Sequence, residues 1–518
     1  MYDKNTKKLL SGAAWLGLSA ILLKIIGLVY KIPMSYLLGD EGMGYFNSAY
    51  TVYTFFYIIG SAGIPKAVSI LCAKVNESEA KSVFILIYRV YLLLGAILSV
   101  TLLISADFIA DSIGNSNSFY SIFAISPTVF FVCASGVLRG YLNGKTKFIP
   151  VATSEIISAF SKLFIGLFFA FYAIKKGYSL PIVCSFSILG ITIGSFFGFV
   201  YLYLSYSKES KYIKKSYLSK KKILRDVLRL GLPITFATMV SGFVNIIDLA
   251  VVMNRLKASG YPESICTVIY GNYTTLAVPL FSFATNLINS VSVAALPIIT
   301  AGFSNRKYTE MKKTVSSSVK VMLFISIPAF LAFLLFPVEI LGAIFEEGSA
   351  KLGSVYLFFL SPGILFYSLL TLTNTVLEGS GNIKAAVTSL TAGAIAKCIL
   401  SYIFIGMEKI GPIGAPLSTT ASYVISLAIS YYYYNKNIVK NRKFHLSVID
   451  GIPPLLFSAL LSSVLAILAK TMLFKNLNFR ANSIVVLCIY GIFYLFFSII
   501  FTIIREKKQL LSAKCTIN

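Results

Sequence analysis

The apolar residues of this chain come in runs of twenty or more, long enough to cross roughly 30 Å of hydrocarbon as helix. In lipid, every backbone N–H and C=O must be paired inside its own helix or within a closed barrel. The runs are continuous rather than alternating, so they predict an all-α polytopic membrane protein. About fourteen transmembrane helices are expected, at roughly 11–31, 46–71, 82–105, 119–140, 151–173, 180–205, 227–253, 268–299, 315–336, 352–377, 385–405, 413–435, 448–474 and 481–504. The polar gaps are short, and the longest, from about Tyr206 to Arg225, holds too few apolar residues to build a soluble core. Charged residues make up 13% of the 518, half of the roughly 25% usual in a soluble chain. The first run, Ser11 to Tyr30, continues into Lys31-Ile32-Pro33 without a small-residue cleavage site and is read as the first span.

The loops alternate in charge. One side holds Lys4, Lys7 and Lys8, the 206–226 loop with Lys208, Lys211, Lys214 and Lys220 to Lys222, the 301–314 loop, the 436–447 loop, and the tail with Arg505, Lys507 and Lys508. The other side holds Asp40, Glu41, Asp107, Asp111, Glu339, Glu346 and Glu347, with scattered lysines. By the positive-inside rule both termini are cytoplasmic and the number of spans is even, which places a multi-pass protein in the cell membrane. The net charge of +26 sits at span ends rather than on a soluble face. It therefore reads as topology signal and contact with anionic lipid, not as a nucleic-acid footprint.

The chain also repeats itself. Ser126 to Lys162 reads SPTVFFVCASGVLRGYLNGKTKFIPVATSEIISAFSK, and Ser361 to Lys397 reads SPGILFYSLLTLTNTVLEGSGNIKAAVTSLTAGAIAK. Both open on Ser-Pro, turn through a Gly-rich loop and close on a lysine inside a span, offset by 235 residues. Spans 1–6 and 7–12 then form two parallel six-helix repeats, and spans 13 and 14 are additions. The expected organisation is an N-lobe at 1–206, a basic cytoplasmic loop at 207–226, a C-lobe at 227–436, and two extra helices with a basic tail at 437–518. Paired bundles of this kind are a transporter architecture, with substrate at the repeat interface.

A charge near mid-bilayer costs about 3 kcal/mol even on the lenient insertion scale, so each embedded charge is a functional candidate. These are Lys24 in span 1, Lys66 in span 2, Arg89 in span 3, Glu155 and Lys162 in span 5, Asp248 in span 7 and Lys397 in span 11, with Lys31 and Arg255 near span ends. Lys24 and Lys31 are two helical turns apart on one face, and Lys66 follows a Gly63-Ile64-Pro65 break. A basic stripe there suits an anionic substrate; the competing reading is that Lys31 and Lys66 snorkel to headgroups. Lys162 and Lys397 read as structural charges, each paired with an acid such as Glu155 in its own lobe. Asp248 calls for a cation, a proton or a salt bridge. A sodium site completed by Thr419 or Thr420 and an ion pair with a lysine both stand as readings, so sodium or proton coupling is open.

Other chemistry is thin. The seven cysteines, Cys72, Cys133, Cys184, Cys266, Cys398, Cys488 and Cys515, are scattered and read as small apolar packers. The one histidine, His445, lies in a basic loop. No G-x-x-x-x-G-K-[ST] motif, catalytic triad order or metal-spaced set occurs, so a transporter is expected rather than an enzyme, without a resident cofactor or metal.

Three stretches carry a family resemblance: Lys24-Ile25-Ile26-Gly27-Leu28-Val29-Tyr30 running to Leu38-Gly39-Asp40-Glu41-Gly42-Met43-Gly44; Tyr57 to Ser69 around Gly60-Ser61-Ala62-Gly63-Ile64-Pro65-Lys66; and Leu377-Glu378-Gly379-Ser380-Gly381-Asn382 with Gly411-Pro412-Ile413-Gly414-Ala415-Pro416. The chain resembles the multidrug/oligosaccharidyl-lipid/polysaccharide flippase superfamily throughout its length, and most closely the stage V sporulation protein B-like branch near the lipid II flippases. The resemblance implies fourteen helices in two lobes, a rocking inward/outward cycle and a lipid-linked sugar pyrophosphate as cargo, for cell-wall, spore-cortex or polysaccharide synthesis. In lipid II flippases spans 1, 2, 7 and 8 line a cationic cavity. Lys24 falls where that family has an arginine, and Tyr30-Lys31 approximates the next one. Span 2 keeps Lys66 but lacks their arginine, and span 8 has Tyr270-Gly271-Asn272-Tyr273 in place of a basic residue. On this reading the pyrophosphate docks on Lys24, Lys31 and Arg255, and Asn47 and Asn272 offer hydrogen bonds to sugar. A monomer is expected, with envelope-synthesis enzymes as possible partners.

Three other readings stand beside it. A multidrug/cation antiporter of the same superfamily would have twelve spans and an acidic centre. A membrane glycosyltransferase would need acids or histidines and a sizeable outer loop. A non-transporting scaffold for envelope synthesis would tolerate charge reversal at Lys24.

Overall fold

The computed structural model describes residues 4–210, 220–439, 452–472 and 478–515, and among them the ordered elements are all helical, with no strand. Two compact units result, Met1–Gly271 and Asn272–Asn518. In the first are α1 (Lys4–Ser61), α2 (Gly63–Lys74), α3 (Glu77–Ile104), α4 (Ala106–Ser112), α5 (Phe119–Gly144), α6 (Phe148–Lys175), α7 (Leu180–Ser210), α8 (Lys220–Ala258) and α9 (Glu263–Asn272), whose last residue opens the second unit. The second continues through a π-helical turn (Tyr273–Ala277) into α10 (Val278–Ser304), α11 (Tyr308–Leu335), α12 (Pro337–Gly342), α13 (Glu347–Gly379), α14 (Ile383–Ile405), α15 (Gly414–Tyr434), α16 (Ile452–Met472) and α17 (Phe479–Cys515).

Twelve segments among the described residues are long and apolar enough to cross a membrane. The difference from the expected fourteen arises at two places. Expected span 2 and the end of expected span 1 fall in one segment, Ile25–Lys74, while most side chains of 11–24 lie outside the described residues. The chain between them is helical and is interrupted at Gly39, with φ 63° and ψ −176°, a backbone region open essentially to glycine alone. Expected span 7 falls in α8, whose 39 residues begin with Lys220, Lys221, Lys222, Arg225 and Arg229. That helix is long enough to cross, and its stretch 230–247 carries no charged residue, but several of its side chains lie outside the described residues over which the twelve were found.

The sequence break at Gly63-Ile64-Pro65 is real: α1 ends at Ser61, Ala62 leaves helical geometry, and α2 restarts at Gly63. Helix α5 meets this break with glycines four apart. A Cβ on Gly136 would stand 2.3 Å from the Gly60 carbonyl oxygen, one on Gly140 2.4 Å from that of Pro65, and one on Gly144 2.6 Å from that of Ser69. Small residues at this spacing let two backbones touch where lipid supplies no hydrophobic drive.

The repeat is visible in the helices themselves. Helices α5 and α13 end at Gly144 and Gly379, and α6 and α14 begin at Phe148 and Ile383. The turns between them hold a left-handed residue at Thr146 (φ 57°) and Gly381 (φ 87°). Each pair is 235 apart.

The last two helices pack on the second unit through polar contacts at a proline. Pro328 in α11 has no N–H to give the Phe324 carbonyl four residues back. The Tyr494 hydroxyl of α17 donates to that carbonyl at 2.9 Å, and Tyr490 donates to the Pro328 carbonyl at 2.9 Å. Lys470 of α16 pairs with buried Glu339 of α12.

Candidate functional site

The charges expected inside the membrane fall into distinct settings. In the first unit, α1, α5, α6 and α7 line an open cavity of about 440 Å³. Tyr50, Tyr53 and Tyr57 reach it from α1, Arg139 from α5, and Glu155 and Lys162 from α6. The three tyrosines are spaced three and four apart, one face of a helix, and their neighbouring rings lie 5.8 Å apart. Ser135, Ser158 and Ser195 complete a polar lining.

Arg139 Nη1 lies 3.3 Å from Glu155 Oε1. The sequence reading left Arg139 out; it lies in the Gly136–Gly144 stripe, where the close approach to α2 holds α5 in place. Glu155 therefore engages an arginine of the neighbouring helix. Lys162 stands over two rings, 4.7 Å from the centroid of Tyr30 and 5.2 Å from that of Tyr50. A desolvated cation–π contact contributes about 2 kcal/mol, so two rings offset much of the roughly 3 kcal/mol cost of a lysine at this depth. Lys31, half-buried in α1, lies within electrostatic range of Lys162. Two cations and one carboxylate thus line the cavity. Two polar atoms here, Tyr30 Oη and Arg139 Nε, are buried without a hydrogen-bond partner among the described residues.

The remaining expected residues are dispersed. Lys24 lies in α1, with its side chain outside the described residues. Lys66 is exposed on α2 and Arg89 on α3. Asn47 is buried in α1, one turn beyond Gly44, where a Cβ would meet the Thr267 carbonyl oxygen of α9 at 2.2 Å. Asp248 is buried in α8, and Arg255 is half-buried in its last turn. In the second unit Asn272 is buried at the entry to the π-helical turn, an irregularity frequent at functional sites. Thr419 shares a hydrogen bond of 3.3 Å with Tyr273 and donates to the Ala415 carbonyl; Thr420 donates to the Phe359 carbonyl. Lys397, the repeat partner of Lys162, lies within electrostatic range of Tyr423, which packs on Tyr367. The position matching Arg139 is Asn374, which accepts hydrogen bonds from Ser389 and Ser430. The two repeats thus share a lysine near aromatic rings, while the ion pair of the first is a neutral network in the second. His445 lies outside the described residues, and among those described no group of three His, Cys, Asp or Glu side chains is placed to hold a metal ion.

Comparison with known proteins agrees with this architecture. The family described as polysaccharide biosynthesis protein matches residues 9–303, and the MatE family matches residues 274–403. Lipid II flippase MurJ of Bacillus subtilis (strain 168) is 26% identical over 451 residues, covering 82% of each chain. Stage V sporulation protein B of the same organism is 22% identical over 426 residues, covering 80% of this chain and 81% of its own. Among solved structures, a lipid II flippase MurJ in an inward closed conformation superposes with a TM-score of 0.71 at 19% identity, covering 94% of this chain and 98% of that one. An inward-facing multidrug resistance MATE family transporter superposes with a TM-score of 0.66 at 14% identity, covering 84% of this chain and all of that one. At these identities the structural likeness is one of fold. The first family match spans more than half of the 518 residues, and the chain belongs to the polysaccharide biosynthesis protein family within the multidrug/oligosaccharidyl-lipid/polysaccharide flippase superfamily.

Proposed function

We propose that this membrane flippase exports a lipid-linked sugar carrying an anionic pyrophosphate, a peptidoglycan or polysaccharide precursor. The observation that carries the reading is the excess of cations lining the cavity of the first unit, where Arg139 and Lys162 stand with a single carboxylate, Glu155, which faces Arg139. Like charges in a low-dielectric setting repel strongly, and a visiting anion relieves that repulsion. Relatives of nearly the same length include a lipid II flippase, which supports the cargo class. Where a multidrug/cation antiporter is expected to have an acidic centre, the one carboxylate lining this cavity, Glu155, faces Arg139.

The mechanism follows from charge. A pyrophosphate leaves the headgroup region only if basic side chains replace its water, and charge-assisted hydrogen bonds from Lys24, Lys31 and Arg255 supply them. Asn47 and Asn272 accept and donate to sugar hydroxyls, and the acyl chain stays in lipid. The six-six-two division of spans, with both termini cytoplasmic, supplies two bundles that alternate access. No covalent step on the cargo is required, so the chain acts as a transporter and not as an enzyme.

Complementation tests the cargo. A bacterial strain depleted of its lipid II flippases should grow when this chain is expressed, and Lys24→Ala should reduce that growth at equal membrane abundance. Failure of the abundant wild-type chain to support growth would remove lipid II as the cargo.

A further inference from the structure

We infer that the cavity within the first unit is a binding site for a phosphate-type oxyanion, with Lys162 and Arg139 as its cationic walls and Glu155 as an internal competitor for the same guanidinium. The inference rests on the export reading for its biological sense only; the site itself stands on geometry. The volume, about 440 Å³, lies in the range of small-ligand sites and corresponds to roughly fifteen liquid-water volumes at about 30 Å³ each. That is room for a phosphate with a hydroxylated appendage and too little for a whole lipid-linked oligosaccharide.

The wall chemistry selects the ligand class. Arg139 offers a planar donor fork, of which Glu155 Oε1 meets Nη1 at 3.3 Å, while its Nε is buried without a partner among the described residues. A phosphate accepts two parallel N–H bonds from such a fork. Lys162 adds a point charge held over Tyr30 and Tyr50. Tyr53, Tyr57, Ser135 and Ser195 surround the cations with aromatic faces and hydroxyls, which suit the sugar or prenyl-proximal part of a phosphate ester. Lining cations outnumber the lining carboxylate two to one, and Lys31 adds a third positive charge within range of Lys162. A purely structural ion pair would need no second lining cation and no cavity.

The competitor role of Glu155 gives the inference a signature that a structural pair lacks. Glu155→Gln removes a negative charge from an anion site and should tighten binding by about three- to tenfold, whereas Lys162→Gln and Arg139→Gln should each weaken it on the order of tenfold. Lys162→Arg should stay within about threefold of wild type. The measurement is calorimetric titration of the purified full chain in nanodiscs with inorganic pyrophosphate in one arm and a sugar-free polyprenyl pyrophosphate in the other. Variants are compared only where gel filtration shows a monodisperse protein; Lys162→Gln and Glu155→Gln suffice if Arg139→Gln does not fold. Binding in both arms with this pattern supports a general oxyanion site, and binding of the lipid alone with the same pattern supports a headgroup site. An affinity that ignores both Lys162→Gln and Glu155→Gln, or that falls with Glu155→Gln, overturns the inference. Binding in a chain that fails complementation would keep the site and remove lipid II as the cargo, so the site and the cargo reading fail separately.

Discussion

Arg139 and Glu155 show how much a single residue's neighbours decide. Their side chains are 22% and 31% exposed, neither dry nor fully solvated, so the pair is worth more than a surface bridge and less than a buried one. Removing one partner strands the other beside the rings of the cavity. Arg139→Gln should therefore lower thermal stability more than the double variant with Glu155→Gln, with a coupling of about 1–2 kcal/mol. Melting of the four proteins of the cycle in one detergent checks this, and strictly additive losses would show that the two groups do not interact. The pair was half legible. Glu155 and Lys162 stand out in sequence as charges in an apolar run. Arg139 does not, because Leu138-Arg139-Gly140 precedes a Gly-rich turn and reads as a loop border. Periodicity within one helix says nothing of which residue faces it from the next. A signal existed nonetheless: in a helical hairpin, residues equally far from the turn face each other, and Arg139 and Glu155 each lie about one to two turns from it.

At the scale of elements, breaks and close approaches matter more than apolarity. The two apolar runs on either side of Gly39 predict two spans joined by a loop, yet the helix resumes at once, because one glycine conformation absorbs the whole turn. Hydropathy averages over a window and does not register a single dihedral angle. Gly39→Ala should be poorly tolerated, since φ 63° with ψ −176° is closed to a side chain at a cost of about 1–3 kcal/mol. A lower melting temperature measures it, and an unchanged one would mean that the break relaxes. The α5 glycines fail for another reason. Gly140→Val would push a side chain into the Pro65 carbonyl, separating α5 from α2 and moving Arg139 with it. Both stability and anion binding should fall, while Gly177→Ala, with no atom within 4 Å of its Cβ but φ 72°, should lower stability only. The tyrosine contacts of α17 were invisible beforehand, because Pro328 reveals a freed carbonyl but not its donor. Tyr494→Phe should cost about 1–2 kcal/mol, the penalty for a carbonyl left without a partner in lipid. By contrast, the 235-residue offset read in the sequence is kept at the helix ends of the α5–α6 and α13–α14 hairpins, because a turn's glycines and its helix boundaries are set by the same local chemistry.

For the whole molecule, charge placed across a membrane is the quantity that links topology to transport. Reporter fusions at the N-terminus and at the basic tail should both report the cytoplasm, and one inserted after Asp107 the outside; a split result at the termini would break the even-span topology. On that orientation and the proposed export cycle, the sign of the energetics follows. An anion moved outward leaves an inside-negative compartment, and each charge that crosses gains about 2.3 kcal/mol per 100 mV. The protein decides which step feels the field. On the proposed cycle, with Lys31, Lys162 and Arg139 outweighing Glu155 in the first unit, the empty carrier moves positive charge, and its return to the inward-facing state should be drawn by the potential. The loaded carrier should then be near neutral and cross with little field dependence. If return limits the cycle, and about half of the drop for one charge is felt at the barrier, the export rate should rise roughly five- to tenfold between 0 and −100 mV inside. Neutralising Lys31 and Lys162 together shifts charge movement to the loaded step, where the net negative complex is driven outward, and the rate becomes slower and flatter with potential. Proteoliposomes of fixed orientation, with a potassium gradient and valinomycin setting the potential and a fluorescent polyprenyl pyrophosphate as cargo, read both curves. A wild-type rate indifferent to potential would show that the cations of the first unit hold the cargo without carrying charge through the cycle.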